Sequence, residues 1–158
     1  LITLVNINSM NVKAIKALGD IYLEERNITE AQKLLSRALS LDPDYTEAIH
    51  SLGVTYINIR QLDQALILFR RVLANDRSHG AAAFYAGQCN WQMGKLPAAL
   101  IYFQLAVDND PDQAVNHYWL GQALLRSNKR LAAIAEFQRA LSINPQYQLA
   151  LEILAKLR

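Results

Sequence analysis

The chain has 158 residues, 52% of them apolar and 19% charged, with a formal net charge of +2. That is enough apolar material for a sizeable core, while 6 glycines and 4 prolines exclude a collagenous or low-complexity chain. So small a net charge argues against a nucleic-acid binder, no apolar run approaches the ~18 residues of a membrane-spanning helix, and a single cysteine, Cys89, excludes a disulfide framework or a multi-cysteine metal site.

Residues 1–11 open on a short apolar run, Leu1–Val5, with no basic stretch before it, so a signal peptide is not expected. Position 1 is not Met, which points to a processed chain or, in preference, an excised piece of a larger protein. Leu1, Leu4, Val5 and Ile7 align with Leu35, Ala38, Leu39 and Leu41, so this segment reads as the tail of a helix. A β-strand or a tag remnant is the alternative.

From residue 12 onward the chain repeats. In 12–45, Ile15, Leu18, Gly19 and Tyr22 follow the i, i+3, i+4, i+7 spacing of a helix face. A second stripe follows at Ile28, Ala31, Leu35, Ala38 and Leu39, and Asp42-Pro43 ends it, because the residue before proline is pushed out of the α region. In 46–79 the same slots hold Ile49, Leu52, Gly53 and Tyr56, then Ala65, Phe69, Val72 and Leu73, with Arg77 in the proline slot. In 80–113 they hold Gly87, Ala99, Phe103, Ala106, Val107 and Pro111, and Pro97 suits the first turn of the second helix. In 114–147 they hold Gly121, Ala133, Phe137, Ala140, Leu141 and Pro145. Residues 148–158, with Leu151 and Leu154, match the first helix of a fifth unit.

Gly19, Gly53, Gly87 and Gly121 thus stand 34 residues apart. Each unit is expected to be two helices of about twelve to fourteen residues, with Thr29 and Asp63 near the start of a second helix, where a side-chain oxygen could cap it. A glycine within a helix costs roughly 1 kcal/mol relative to alanine. The expected compensation is a close approach of glycine on one helix to alanine on the next. One hairpin cannot bury both of its apolar faces, but stacked hairpins can.

Leu-Gly-x-x-Tyr, then Ala and Leu or Phe four apart, then Ala, then Asp-Pro, resembles the tetratricopeptide repeat. The resemblance covers 12–45, 46–79, 80–113 and 114–147 without insertions. It implies an all-α fold, a right-handed α-solenoid of tandem helix-turn-helix repeats forming one domain over 1–158. The departures are Asn90 and Leu124 in the tyrosine slot, Ala83 and His117 in the large slot near the start, and Arg77 for proline.

Enzyme chemistry is not expected. The glycines are too far apart for a phosphate-binding loop. His50, His79 and His117 lack partners at metal-ligand spacing, and Cys89 has no nearby histidine. His117 and Cys89 read as core residues rather than as a ligand and a nucleophile. No catalytic residue, metal or cofactor is therefore expected. Arg126, Lys129 and Arg130 cluster at a turn, read as a solvated edge in preference to an acidic-partner patch. The compartment stays open, with the cytoplasm favoured.

The resemblance implies that the first helix of each unit lines a concave groove that takes partner segments. Since the core stripe occupies one helix face, the inward stripe must start elsewhere on it. It reads Lys13, Lys16, Asp20, Leu23 and Glu24 in the first unit, and Glu47, His50, Val54, Ile57 and Asn58 in the second. The third gives Ala81, Phe84, Gln88, Trp91 and Gln92, and the fourth Val115, Tyr118, Gln122, Leu125 and Arg126. Phe84, Trp91 and Tyr118 lie outside the core slots, and exposed aromatics often mark interfaces. Asn58, Gln88, Gln92 and Gln122 can pair with a peptide backbone. The alternative is that the aromatics pack between units or against Leu149 and the last helix.

A chaperone-type carboxylate clamp is argued against, because Lys16 is followed by Asp20 and the later clamp positions hold Ser51, Ala81 and Tyr85. The expected function is a non-enzymatic protein-interaction module, scaffold or adaptor, binding a protein or peptide segment in the groove. Nucleic-acid binding and membrane insertion are not expected. The alternative is a self-assembly module associating through open ends.

Overall fold

The computed structural model describes residues 11–157, so the helix expected over 1–11 lies almost wholly outside the described residues. The described residues form only helices: α1 (Val12–Glu24), α2 (Ile28–Leu41), α3 (Thr46–Asn58), α4 (Leu62–Asn75), α5 (Gly80–Gln92), α6 (Leu96–Asn109), α7 (Ala114–Arg126), α8 (Arg130–Ile143) and α9 (Gln148–Lys156). First helices of 13 residues alternate with second helices of 14. The chain divides into two compact units, Leu1–Val72 and Leu73–Arg158.

Local chemistry sets the helix ends. Asn11 Oδ1 accepts from the Ala14 amide and Asn27 Oδ1 from the Glu30 amide, so the cap of α2 is Asn27 rather than Thr29. His79 caps α5, its Nδ1 accepting from the Ala82 amide at 3.2 Å. Pro97 sits in the first turn of α6. The Asp or Asn at the end of three of the second helices folds the following turn: Asp42 Oδ1 accepts from the Asp44 amide and Asn144 Oδ1 from the Gln146 amide. Asp76 does so without a proline after it, accepting from both the amide and the hydroxyl of Ser78. Those bonds favour the ionised carboxylate and lower its pKa below the ordinary 3.8.

Inside each hairpin, one residue takes a left-handed backbone: Arg26, Arg60, Gly94 and Asn128, at φ of 59°, 60°, 74° and 60°. These four positions are also 34 apart. Gly94 therefore belongs to the repeat, in the slot where a helix turns back on itself.

In the first unit, α1 packs on α2 and α3 around Ala14, Ile15, Leu18, Ala38 and Ala48. In the second, α5 to α9 pack each on the next. One cluster there holds Ala99, Phe103, Leu120 and Ala123, another Ala133, Phe137, Ala140 and Ala150. Phe69, Phe103 and Phe137 are fully buried, each stabilising its unit by roughly 1.5–3 kcal/mol.

A large side chain of the following helix lies over each of the four repeat glycines. A Cβ on Gly53 would lie 2.6 Å from Phe69, on Gly87 2.6 Å from Phe103, on Gly121 2.7 Å from Phe137, and on Gly19 2.9 Å from Leu35. Each of these glycines thus seats the large side chain of the following helix. At Gly80, the start of α5, an added Cβ would collide with the Asp110 carboxylate.

The departures from the repeat pattern are also accommodated. His117, 5% exposed, places Nδ1 2.7 Å from Glu136 Oε2 and Nε2 2.9 Å from the Pro111 carbonyl. Both partners accept, so a ring protonated at both nitrogens satisfies both. Asn90 is buried and donates to the Ala86 carbonyl at 2.8 Å, and Cys89 is fully buried.

Candidate functional site

The aromatic part of the inward stripe lies on α5 and α7, both within the second unit. Trp91 is half-buried near the end of α5, with its ring centroid 5.8 Å from Trp119 in an edge arrangement. The Arg126 guanidinium sits over the Trp91 ring, 5.0 Å from the centroid, a cation–π geometry. Phe84 is half-buried and lies 6.2 Å from the Phe103 ring. Gln92 and Arg126 are exposed and Gln88 is half-buried. Neither glutamine makes a side-chain hydrogen bond among the described residues, which leaves both amides available to a ligand backbone.

Tyr118 departs from the expectation of an aromatic without packing duty. It is 9% exposed, with ring centroids 5.8 Å from Phe137 and 5.4 Å from Tyr147. Its hydroxyl accepts from Gln122 Nε2 at 2.7 Å, so the donor of that amide is used internally. The alternative reading, packing between units, describes Tyr118, and in part Trp91, whose ring meets Trp119 of the next repeat. Leu125 is half-buried against the same cluster. Burial raises the Tyr147 pKa above its ordinary 10.0, with the neighbouring Tyr118 adding to the effect.

Trp119 lies off the inward stripe that spacing defines on α7. It stacks on Phe103 at 5.9 Å and 26° and meets Trp91 edge-on, so it joins the site to the core. The only signal for it in the sequence is a second large aromatic beside Tyr118, and the spacing does not say which way that residue faces.

In the first unit, Asn58 is exposed and lines a cavity of about 420 Å³ with Leu23, Glu24, Arg26 and Ile28. Lys16 Nζ lies 2.6 Å from Asp20 Oδ2. That ion pair commits Lys16, the one lysine this chain has at a clamp position. Among the described residues, no group of three or more His, Cys, Asp or Glu is placed to hold a metal, and no helix is long and apolar enough to cross a membrane.

Three family models, each described as a tetratricopeptide repeat, match residues 13–45, 50–114 and 114–147. No curated protein sequence matches the chain. Among solved structures, YrrB, described as a tetratricopeptide-repeat protein with an unusual peptide-binding site, aligns with a TM-score of 0.79 at 24% identity, over 96% of this chain and 78% of YrrB. A crystal structure of MamA aligns with a TM-score of 0.83 at 21% identity, over 91% of this chain and 84% of MamA. MamA from Desulfovibrio magneticus RS-1, starting at its residue 41, aligns with a TM-score of 0.81 at 19% identity, over 91% and 81%. These similarities establish the fold as an all-α helical-repeat solenoid. With the repeat matched along most of its length, the chain belongs to the tetratricopeptide repeat family.

Proposed function

We propose that the chain is a non-enzymatic interaction module that holds a segment of a partner protein against α5 and α7. The observation that carries this reading is Trp91, half-buried with the Arg126 guanidinium over its ring and the unbonded amides of Gln88 and Gln92 on the same helix. Tryptophan and arginine are the residue types most enriched at binding hot spots. A peptide-binding site on the structurally similar YrrB supports the same reading. Tyr118 supports the site from behind and shapes its floor.

The test is capture of partners by the wild-type chain and by Trp91→Ala, followed by titration with peptides from the captured protein. Loss of a hot-spot aromatic costs about 2 kcal/mol or more, roughly 30-fold in affinity, and the melting temperature of a half-exposed substitution should change little. Tyr118→Phe is the suitable variant at that position, since it keeps the packing and removes only the hydroxyl. Affinity should depend weakly on salt, because Arg126 is the one charge on the inward stripe of these two repeats. Unchanged binding by Trp91→Ala refutes the assignment. Light-scattering mass that grows with concentration would instead favour self-assembly.

A further inference from the structure

A second groove lies in the same unit, on the other side of α7. At 100° per residue, Leu120 and Leu124 project away from Tyr118, Gln122 and Leu125. They form a floor, with Leu100 and Leu105 of α6 as a wall, and the groove encloses about 430 Å³. Ile101 stands on its rim and is 69% exposed. Nothing in the aromatic site uses these side chains.

Two sequence features left without a role meet here. Arg77 replaces the proline of the other units, and Lys129 belongs to the basic turn. Arg77 is fixed at one end, where its carbonyl accepts from Asn109 Nδ2 at 2.8 Å. Lys129 is fixed by its amide, which donates to the Leu124 carbonyl at 2.9 Å. Asn109 ends α6, while Leu124 packs on the same cluster as Leu96 and Leu100 of the first turns of α6 and lines the groove with Leu100. The two cations therefore stand at opposite ends of the groove. Neither has an ion-pair partner among the described residues. The other basic members of the turn are engaged: Arg126 over Trp91, Arg130 with the Leu157 carbonyl. The groove's own acid, Asp108, accepts from Gln104 Nε2 at 2.9 Å.

We infer that this groove docks an apolar segment of a partner protein that carries a carboxylate at each end. The apolar floor accounts for the middle of the segment, and the two unpaired cations account for its ends. The groove's lining on α6 runs from Leu100 to Asp108, about 12 Å of helix, the reach of an extended segment of about four residues.

The probes are two short synthetic peptides with a Leu/Phe centre, one ending in glutamates and the other in lysines, titrated against labelled protein by NMR. The glutamate-ended peptide should bind and shift the amides of α6 and α7. Ile101→Glu, on a side chain too exposed to matter to the fold, should weaken it about tenfold or more, because a charge then meets apolar surface. Arg77→Glu with Lys129→Glu should reverse the preference toward the lysine-ended peptide. Trp91→Ala should leave both results unchanged. Binding of neither peptide, or of both equally, overturns the inference. So does binding lost in Trp91→Ala but kept in Ile101→Glu, which moves the peptide to the aromatic site. A dimer that Ile101→Glu dissociates, or a fatty acid that binds where the peptide does not, also overturns it by assigning the groove to another occupant.

Discussion

The seating of Phe69 on Gly53 yields a quantitative prediction, because the two partners can be resized separately. In Gly53→Ala the new methyl would sit 2.6 Å from Phe69 Cζ, and Phe69 is fully buried. Overpacking of this kind costs about 1–3 kcal/mol, offset by roughly 1 kcal/mol of helix propensity gained. The net loss should be about 0–2 kcal/mol. Phe69→Leu alone trims a packed ring and should cost about 1–2 kcal/mol in lost burial. Together, the alanine methyl occupies space the ring vacated, so the double variant should be more stable than the sum of the singles by about 1 kcal/mol or more. The first repeat is the internal control. It already pairs its glycine with leucine at 2.9 Å, so Gly19→Ala should cost less than Gly53→Ala. Thermal melts followed by circular dichroism suffice, since 1 kcal/mol moves Tm by about 2–4 °C in a chain of this size. Additivity within about 0.5 kcal/mol would refute the reasoning and return the glycine to a plain helix-approach role.

Gly94→Ala should cost about 1 kcal/mol from backbone conformation alone, because no atom lies within 4 Å of the added Cβ; urea titration measures it. At the equivalent turn, Arg60→Gly should stabilise slightly, and a loss there would contradict the left-handed assignment. His117→Leu removes two hydrogen bonds, one to a carboxylate, and should cost about 2 kcal/mol, with Glu136→Gln costing less because that side chain is 26% exposed and can rehydrate. Tyr147 binds its proton more tightly in the folded chain than in the unfolded one. Its contribution is therefore fully present below its ordinary pKa of 10.0 and is lost as pH rises through the raised folded value. Stability measured against alkaline pH should fall more steeply for the wild type than for Tyr147→Phe.

Much of the backbone was legible in the residues. The 34-residue recurrence of Gly19, Gly53, Gly87 and Gly121 carried the hairpin lengths, the helix stops at Asp42, Asp110 and Asn144, and the family. These are local properties, since helical spacing, proline and capping chemistry act within a few residues. The left-handed slot at Arg26, Arg60, Gly94 and Asn128 has the same 34-residue period but little sequence signal, because three of its four occupants are not glycine.

The site was legible only in part. Helical spacing brought Phe84, Gln88, Trp91 and Gln92 onto one side of α5, and Gln122, Leu125 and Arg126 onto one side of α7. What spacing within one helix could not decide is what each side chain meets on the next. Tyr118 is buried because Phe137 and Tyr147, from two later elements, close over it. Arg126 leaves the basic turn for the face of Trp91, which lies on a different repeat. Phe69 lies over Gly53 because the missing side chain there leaves room for a ring. A repeat prescribes the positions of backbones; the contacts depend on which side chains occupy neighbouring repeats, and those identities vary from one unit to the next.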